Sequence, residues 1–186
     1  MTPNQVIAAF AVALVAAAVI LFYLRTQKSR RLREHFGPEY DRAVKEAGNA
    51  RAETILENRE KRVKEFDLHP LELPARRRFV EQWRLVQARF VDDPHGTMGD
   101  ADRLLGQVMA ARGYAVADFE QQAADLSVNH PRVIEHYRAG HAIAVRHAQG
   151  QASTEDLRQA LIHYRELFQE LIEDPAAVGT AAAMRD

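Results

Sequence analysis

Residues Val6 to Leu24 read VIAAFAVALVAAAVILFYL, 19 consecutive apolar positions without one charge. As a helix at ~1.5 Å per residue this run is about 28 Å long, close to the hydrocarbon thickness of a bilayer. A helix satisfies its own backbone hydrogen bonds in lipid, so the run can span alone. Phe22 and Tyr23 close it, where aromatic rings favour the membrane interface. Arg25, Lys28, Arg30, Arg31 and Arg33 follow at once, and no charged side chain precedes the run. That asymmetry predicts an N-terminus outside and a long C-terminal part in the cytoplasm. A cleaved signal peptide would carry its basic residues before a shorter apolar core. The order here is the reverse, so the run reads as an uncleaved anchor over 1–24. Ala9, Ala13 and Ala17 form a small-residue face on which two such anchors could dimerise.

Whole-chain averages conceal this division. The 186 residues are 47% apolar with a net charge of −1. Without the run, the remainder is roughly 41% apolar and roughly 31% charged. The absence of cysteine excludes a disulfide scaffold or a cysteine nucleophile. The charge balance argues against a nucleic-acid partner.

Residues 25–67 form a basic juxtamembrane segment and a charged stalk. Gly37-Pro38 ends the helix leaving the membrane and starts another over 39–65. Fourteen of those 27 positions are charged. Asp41/Lys45, Glu57/Lys61 and Glu60/Lys64 fit supporting i,i+4 pairs. Apolar positions are sparse and the heptad fails around Arg51 and Arg59, so a solvated helix of ~40 Å is expected.

Residues 74–174 read as a helical bundle. Phe79, Trp83, Val86 and Phe90 make one stripe. Asp92-Asp93-Pro94 stops that helix and caps the next, which buries Met98, Ala101, Leu105 and Val108. Arg112-Gly113-Tyr114 is a C-terminal stop, and Asp118 with Gln121 a capping-box variant. Asn129-His130-Pro131 begins a helix to about Ala148, and the last runs from about 154 to 173. The tail over 175–186 has no periodic pattern and is expected to fray. The fold class is therefore all-α: an N-terminal transmembrane helix, a charged helical stalk, then a small bundle ending in an antiparallel helix hairpin.

That hairpin carries a repeated triplet, His136-Tyr137-Arg138 and His163-Tyr164-Arg165. With a turn near 150–151, Tyr137 and Tyr164 share one level and should meet. By the same rule His136 lies near the level of Arg165, and His163 near that of Arg138. The six residues are the candidate ligand-binding set, since Arg suits an anion and Tyr adds a donor. The plainer reading makes the tyrosines core aromatics beside surface arginines. His130, His136, His141 and His147 recur at spacings that point neighbours to different faces, so no metal site is expected. His141 falls on the apolar stripe and reads as a buried, hydrogen-bonded core residue. Arg76, Arg77 and Arg78 begin a helix against its dipole, which an acidic partner or anionic headgroups would relieve. The plainer reading there pairs Arg77 with Glu81.

Several strings recur together: Phe36-Gly37-Pro38-Glu39-Tyr40-Asp41-Arg42, Phe90-Val91-Asp92-Asp93-Pro94, Arg112-Gly113-Tyr114, Ser127-Val128-Asn129-His130-Pro131, and Ser153 through Ala160 running into His163 through Phe168. The set resembles a family of uncharacterised bacterial proteins with one N-terminal membrane helix and a charged helical body. The resemblance implies attachment to the bacterial inner membrane and imports no activity. No nucleophile elbow, phosphate loop or paired-carboxylate signature is present. The expectation is a non-enzymatic membrane-anchored scaffold or adaptor without cofactor. Its partners would be the lipid bilayer, anionic headgroups beside the basic block, and a protein. The alternative is a ligand-binding or enzymatic helical domain built on the two triplets.

Overall fold

The structure, a computed structural model, describes residues 3–173, with side chains from Val12 onward. The expected frayed tail, and the Ala9 side chain of the small-residue face, lie outside the described residues. Among those described there are eight α-helices and no strand. They divide into two compact units, 1–56 and 57–186, with the boundary inside α3.

The first unit begins with α1 (Pro3–Phe36), a single helix that includes the apolar run. It is long and apolar enough to cross a bilayer, and none of its apolar window is buried against protein. A signal sequence meets the same criteria of length and composition. Past the run the helix changes character: Leu32 and Phe36 are fully buried. They are covered locally because the chain turns back at Gly37, whose φ of +52° favours a residue without a Cβ.

The expected single helix over 39–65 is in fact two, α2 (Pro38–Ala47) and α3 (Asn49–Lys64). Gly48 at φ +76° breaks it, a left-handed conformation that no helix continues through. Tyr40, Ala43, Ala52 and Leu56 are buried rather than solvated. The Ser29 hydroxyl donates to the Glu53 carboxylate at 2.5 Å, tying α3 to α1. Asp41 pairs with Arg33 at 2.7 Å instead of with Lys45. Up to Leu56 the segment is thus a folded cluster around the end of α1, and the single solvated helix of ~40 Å does not form.

The second unit holds the end of α3 and α4 (Leu73–Asp92), α5 (Pro94–Ala111), α6 (Phe119–Asn129), α7 (Ile134–Ala148) and α8 (Thr154–Glu173). Helix α8 is central, packed on α5 and α7, with α4 on α5. Trp83 of α4 stacks on Phe168 of α8, with centroids 4.7 Å apart and planes at 15°. Asp93 caps α5 by accepting from the Gly96 N–H, and Asp118 caps α6 by accepting from Gln121 N–H. Gly113 ends α5 at φ +91°, and a Cβ there would meet the Asp67 carbonyl oxygen at 2.1 Å. Helix α7 starts at Ile134, three residues after Pro131, because residues 131–133 form a turn closed by Val133 N–H to His130 O.

Two interactions in this unit have no periodic signature. Arg62, on the segment read as solvated, donates from Nε to both carboxylate oxygens of buried Asp125, at 3.0 and 3.3 Å. Arg112 is itself buried and donates to the Leu171 carbonyl at 2.7 Å.

Candidate functional site

Helices α7 and α8 run antiparallel. Arg146 reaches Asp156 near the turn, and the triplets meet farther along. Tyr137 and Tyr164 lie together with ring centroids 6.3 Å apart. Gly140 permits this approach: a Cβ on it would come within 2.6 Å of two carbons of the Tyr164 ring. Both hydroxyls are used, Tyr137 donating to Gln122 Oε1 at 3.1 Å and Tyr164 to Asp102 Oδ1 at 3.0 Å. Burial and the nearby Asp102 carboxylate push both phenols up, so they act as neutral donors.

The levels assigned to the histidines do not by themselves decide what they meet. His136 faces His163, Nδ1 to Nδ1 at 3.0 Å, and not Arg165. The reason is the flank rather than the level. In an antiparallel pair, the residue preceding each interface tyrosine falls on the same side of the seam. A repeated triplet therefore sets histidine against histidine. Each arginine takes a carboxylate instead, Arg138 to Glu120 at 2.9 Å and Arg165 to Glu166 at 3.2 Å. The Nδ1–Nδ1 bond needs one ring to donate and the other to accept, so it cannot survive with both rings protonated.

His141 is also corrected. It is half-buried and stacks face to face on Phe119, centroids 3.5 Å apart. The fully buried histidine is His130, whose Nδ1 lies 3.2 Å from Glu170. The helical stripe turns His141 toward α6, where it meets the Phe119 ring and not a hydrogen-bonded core. Among the described residues no group of three or more metal-ligating side chains converges.

A cleft of about 550 Å³ opens between α5, α6 and α7, bordered by Asp102, Gln107, Phe119, Gln122, Tyr137 and His141. Of the six candidate ligand-binding residues only Tyr137 lines it. His136, Arg138, His163, Tyr164 and Arg165 do not, so the triplets do not converge on one pocket. Asp102 and Gln122 were not singled out in the sequence, because each lies outside any motif and joins the tyrosines only through α5 and α6.

The basic candidates separate into two groups. In the first unit Lys28 lies 4.0 Å from Glu53, Arg30 pairs with Glu34 and Arg33 with Asp41, while Arg25 and Arg31 are exposed. On α4, Arg78 covers the Phe79 ring at 5.0 Å. Arg76 and Arg77 line a shallow depression with Leu73, Val80 and Glu81. The expected Arg77–Glu81 pair does not form, since Glu81 accepts from Arg84 at 3.2 and 3.3 Å.

The histidines predict a pH response. Burial lowers the pKa of His163, reinforced by His136 and opposed by Glu166. Burial likewise lowers His141, opposed by Asp102 and Glu120. The unfolded chain then binds more protons than the folded one as pH falls below the ordinary value of about 6.5. Stability is therefore complete above that pH and declines as it falls toward the lowered folded-state values. The thermal midpoint of the detergent-solubilised chain should drop between pH 7.5 and 5.5. His163→Gln with His141→Gln should flatten that slope, and an unchanged slope would refute the assignment.

No known protein family, no curated protein and no solved structure matches this chain.

Proposed function

We propose that this protein is a single-pass, membrane-anchored helical adaptor, with α1 as an uncleaved anchor and the bundle as a non-enzymatic interaction body. The observation that carries the reading is the contrast between its two parts. Apolar side chains of α1 such as Val12, Leu14 and Phe22 stand about 70% exposed in the protein alone. Each side chain of the paired triplets, by contrast, already has a polar partner within the bundle. The basic residues after the apolar run favour an N-terminus outside and a cytoplasmic body at the bacterial inner membrane. Anionic headgroups would then meet Arg25, Arg31 and their neighbours, and a protein partner would meet the body. Two anchors could pack through Ala9, Ala13 and Ala17.

A second reading, a ligand-binding helical domain, has one observation in its favour: Tyr137 borders a cleft of about 550 Å³.

Alkaline extraction of native membranes, combined with reporters fused after Asp186, tests the anchor. The expected result is a full-length chain that stays in the membrane with a cytoplasmically active reporter. A shortened chain released by alkali, or an extracytoplasmic reporter, overturns it. Crosslinking in intact membranes separates adaptor from ligand binder, because an adaptor must yield a reproducible protein adduct on the body.

A further inference from the structure

Outside α1, the large apolar side chains that stand exposed among the described residues are Leu73, Val80, Leu85, Val91, Val116 and Val145. Four of those six lie on α4, the helix that also carries Arg76, Arg77, Arg78, Arg84 and Arg89 against only Glu81 and Asp92. Leu73, Arg77, Val80, Arg84 and Val91 follow one another at intervals of four, three, four and seven. At ~100° per residue they fall within a sector of about 60°, turned away from the buried Phe79, Trp83 and Val86. The result is a stripe about 27 Å long in which aliphatic and cationic side chains alternate. Arg76 and Arg77 have no carboxylate partner among the described residues. The first turn holds no acid, and Glu72 makes no side-chain cap.

We propose that this face of α4 lies on an anionic bilayer surface. The inference rests on the anchor reading above. A second copy of the chain is a poor occupant, because a two-fold pairing brings two copies of the same net-positive helix face together. A protein groove is also a poor fit. High-affinity protein contacts centre on large aromatic anchors. Here the ring of Trp83 and that of Phe79 are buried in the core. Headgroups need no such anchor. Each arginine can lay its stem along the aliphatic neighbours and set its guanidinium at the phosphates. An anchor in the same chain raises the local concentration of that surface, so weak contacts suffice.

The chain contains no cysteine, so a single introduced thiol labels cleanly. The full-length protein carrying Val80→Cys or, as a control away from α4, Val116→Cys is labelled with an environment-sensitive fluorophore. It is then reconstituted in phosphatidylcholine vesicles with and without phosphatidylglycerol. The expected result is an emission gain of about twofold at position 80 on adding the anionic lipid, and none at 116. The gain should be reversed by salt and lost with Arg76→Gln and Arg77→Gln together. A retained chain whose position 80 stays silent overturns this inference alone. A chain stripped from both vesicle types by alkali overturns the anchor reading and this inference with it. A label silent on lipid that responds to added unlabelled chain or to cytoplasmic extract places a protein on the stripe, and overturns the lipid assignment.

Discussion

Gly140→Ala should destabilise the bundle by about 1–3 kcal/mol, lowering the thermal midpoint by roughly 5–12 °C. In an open helix the same change stabilises by about 1 kcal/mol, because alanine is the better helix former. The sign is reversed here by one contact. The new methyl would sit 2.6 Å from Cδ1 and Cε1 of Tyr164. That ring cannot swing aside: it is fully buried, and its hydroxyl is held by Asp102. Gly99, also within a helix, has nothing within 4 Å of its Cβ position. Gly99→Ala is therefore the control, expected to leave stability unchanged or raise it slightly. Heating the two variants side by side in detergent, followed by the helical circular-dichroism signal, checks the pair. Equal shifts would mean that α7 and α8 are not in contact at this point.

Trp83→Ala should cost about 3–5 kcal/mol, the range for removing a large buried aromatic. The ring is 5% exposed and stacked on Phe168, and it joins α4 to the central helix of the unit. Its Nε1 has no hydrogen-bond partner, so the indole contributes by packing alone. Trp83→Phe should consequently retain most of the stability, with a loss below about 1.5 kcal/mol. Urea unfolding of the three proteins gives the comparison. A phenylalanine variant as unstable as the alanine one would show that the nitrogen matters and the packing account is wrong.

The two residues differ in how far the sequence reveals them. Trp83 stands on a stripe with Phe79 and Val86, and all three are buried. Gly140 sits inside a good helical pattern and carries no signal of its own. Its role exists only because Tyr164 arrives opposite it from another helix. The candidate site divides in the same way. The tyrosine contact follows from the turn position and the repeat. The histidine pair required knowing on which flank of the seam each side chain falls. Asp102 and Gln122 required knowing that α5 and α6 close over the hydroxyls. The break at Gly48 could not be told from its residue type, since a glycine tolerates either a continuous helix or a positive φ. The buried Tyr40, Ala43, Ala52 and Leu56 show which was taken.

Local chemistry thus sets the all-helical character of the described chain, most of its helix ends and the length of its apolar helix. Those properties depend on spacing, caps and backbone freedom within a few residues, and each is written in consecutive positions. Which polar groups meet depends on residues that are remote in sequence. Arg62 finds Asp125, Arg112 finds the Leu171 carbonyl, and His136 finds His163 across 27 residues. No periodicity encodes such a meeting, because it is produced by the packing of one helix face on another. The apolar run with which the chain begins marks the limit of both kinds of information. Its sequence makes it long and greasy enough to cross a bilayer, and its described side chains, from Val12 onward, are left uncovered by protein.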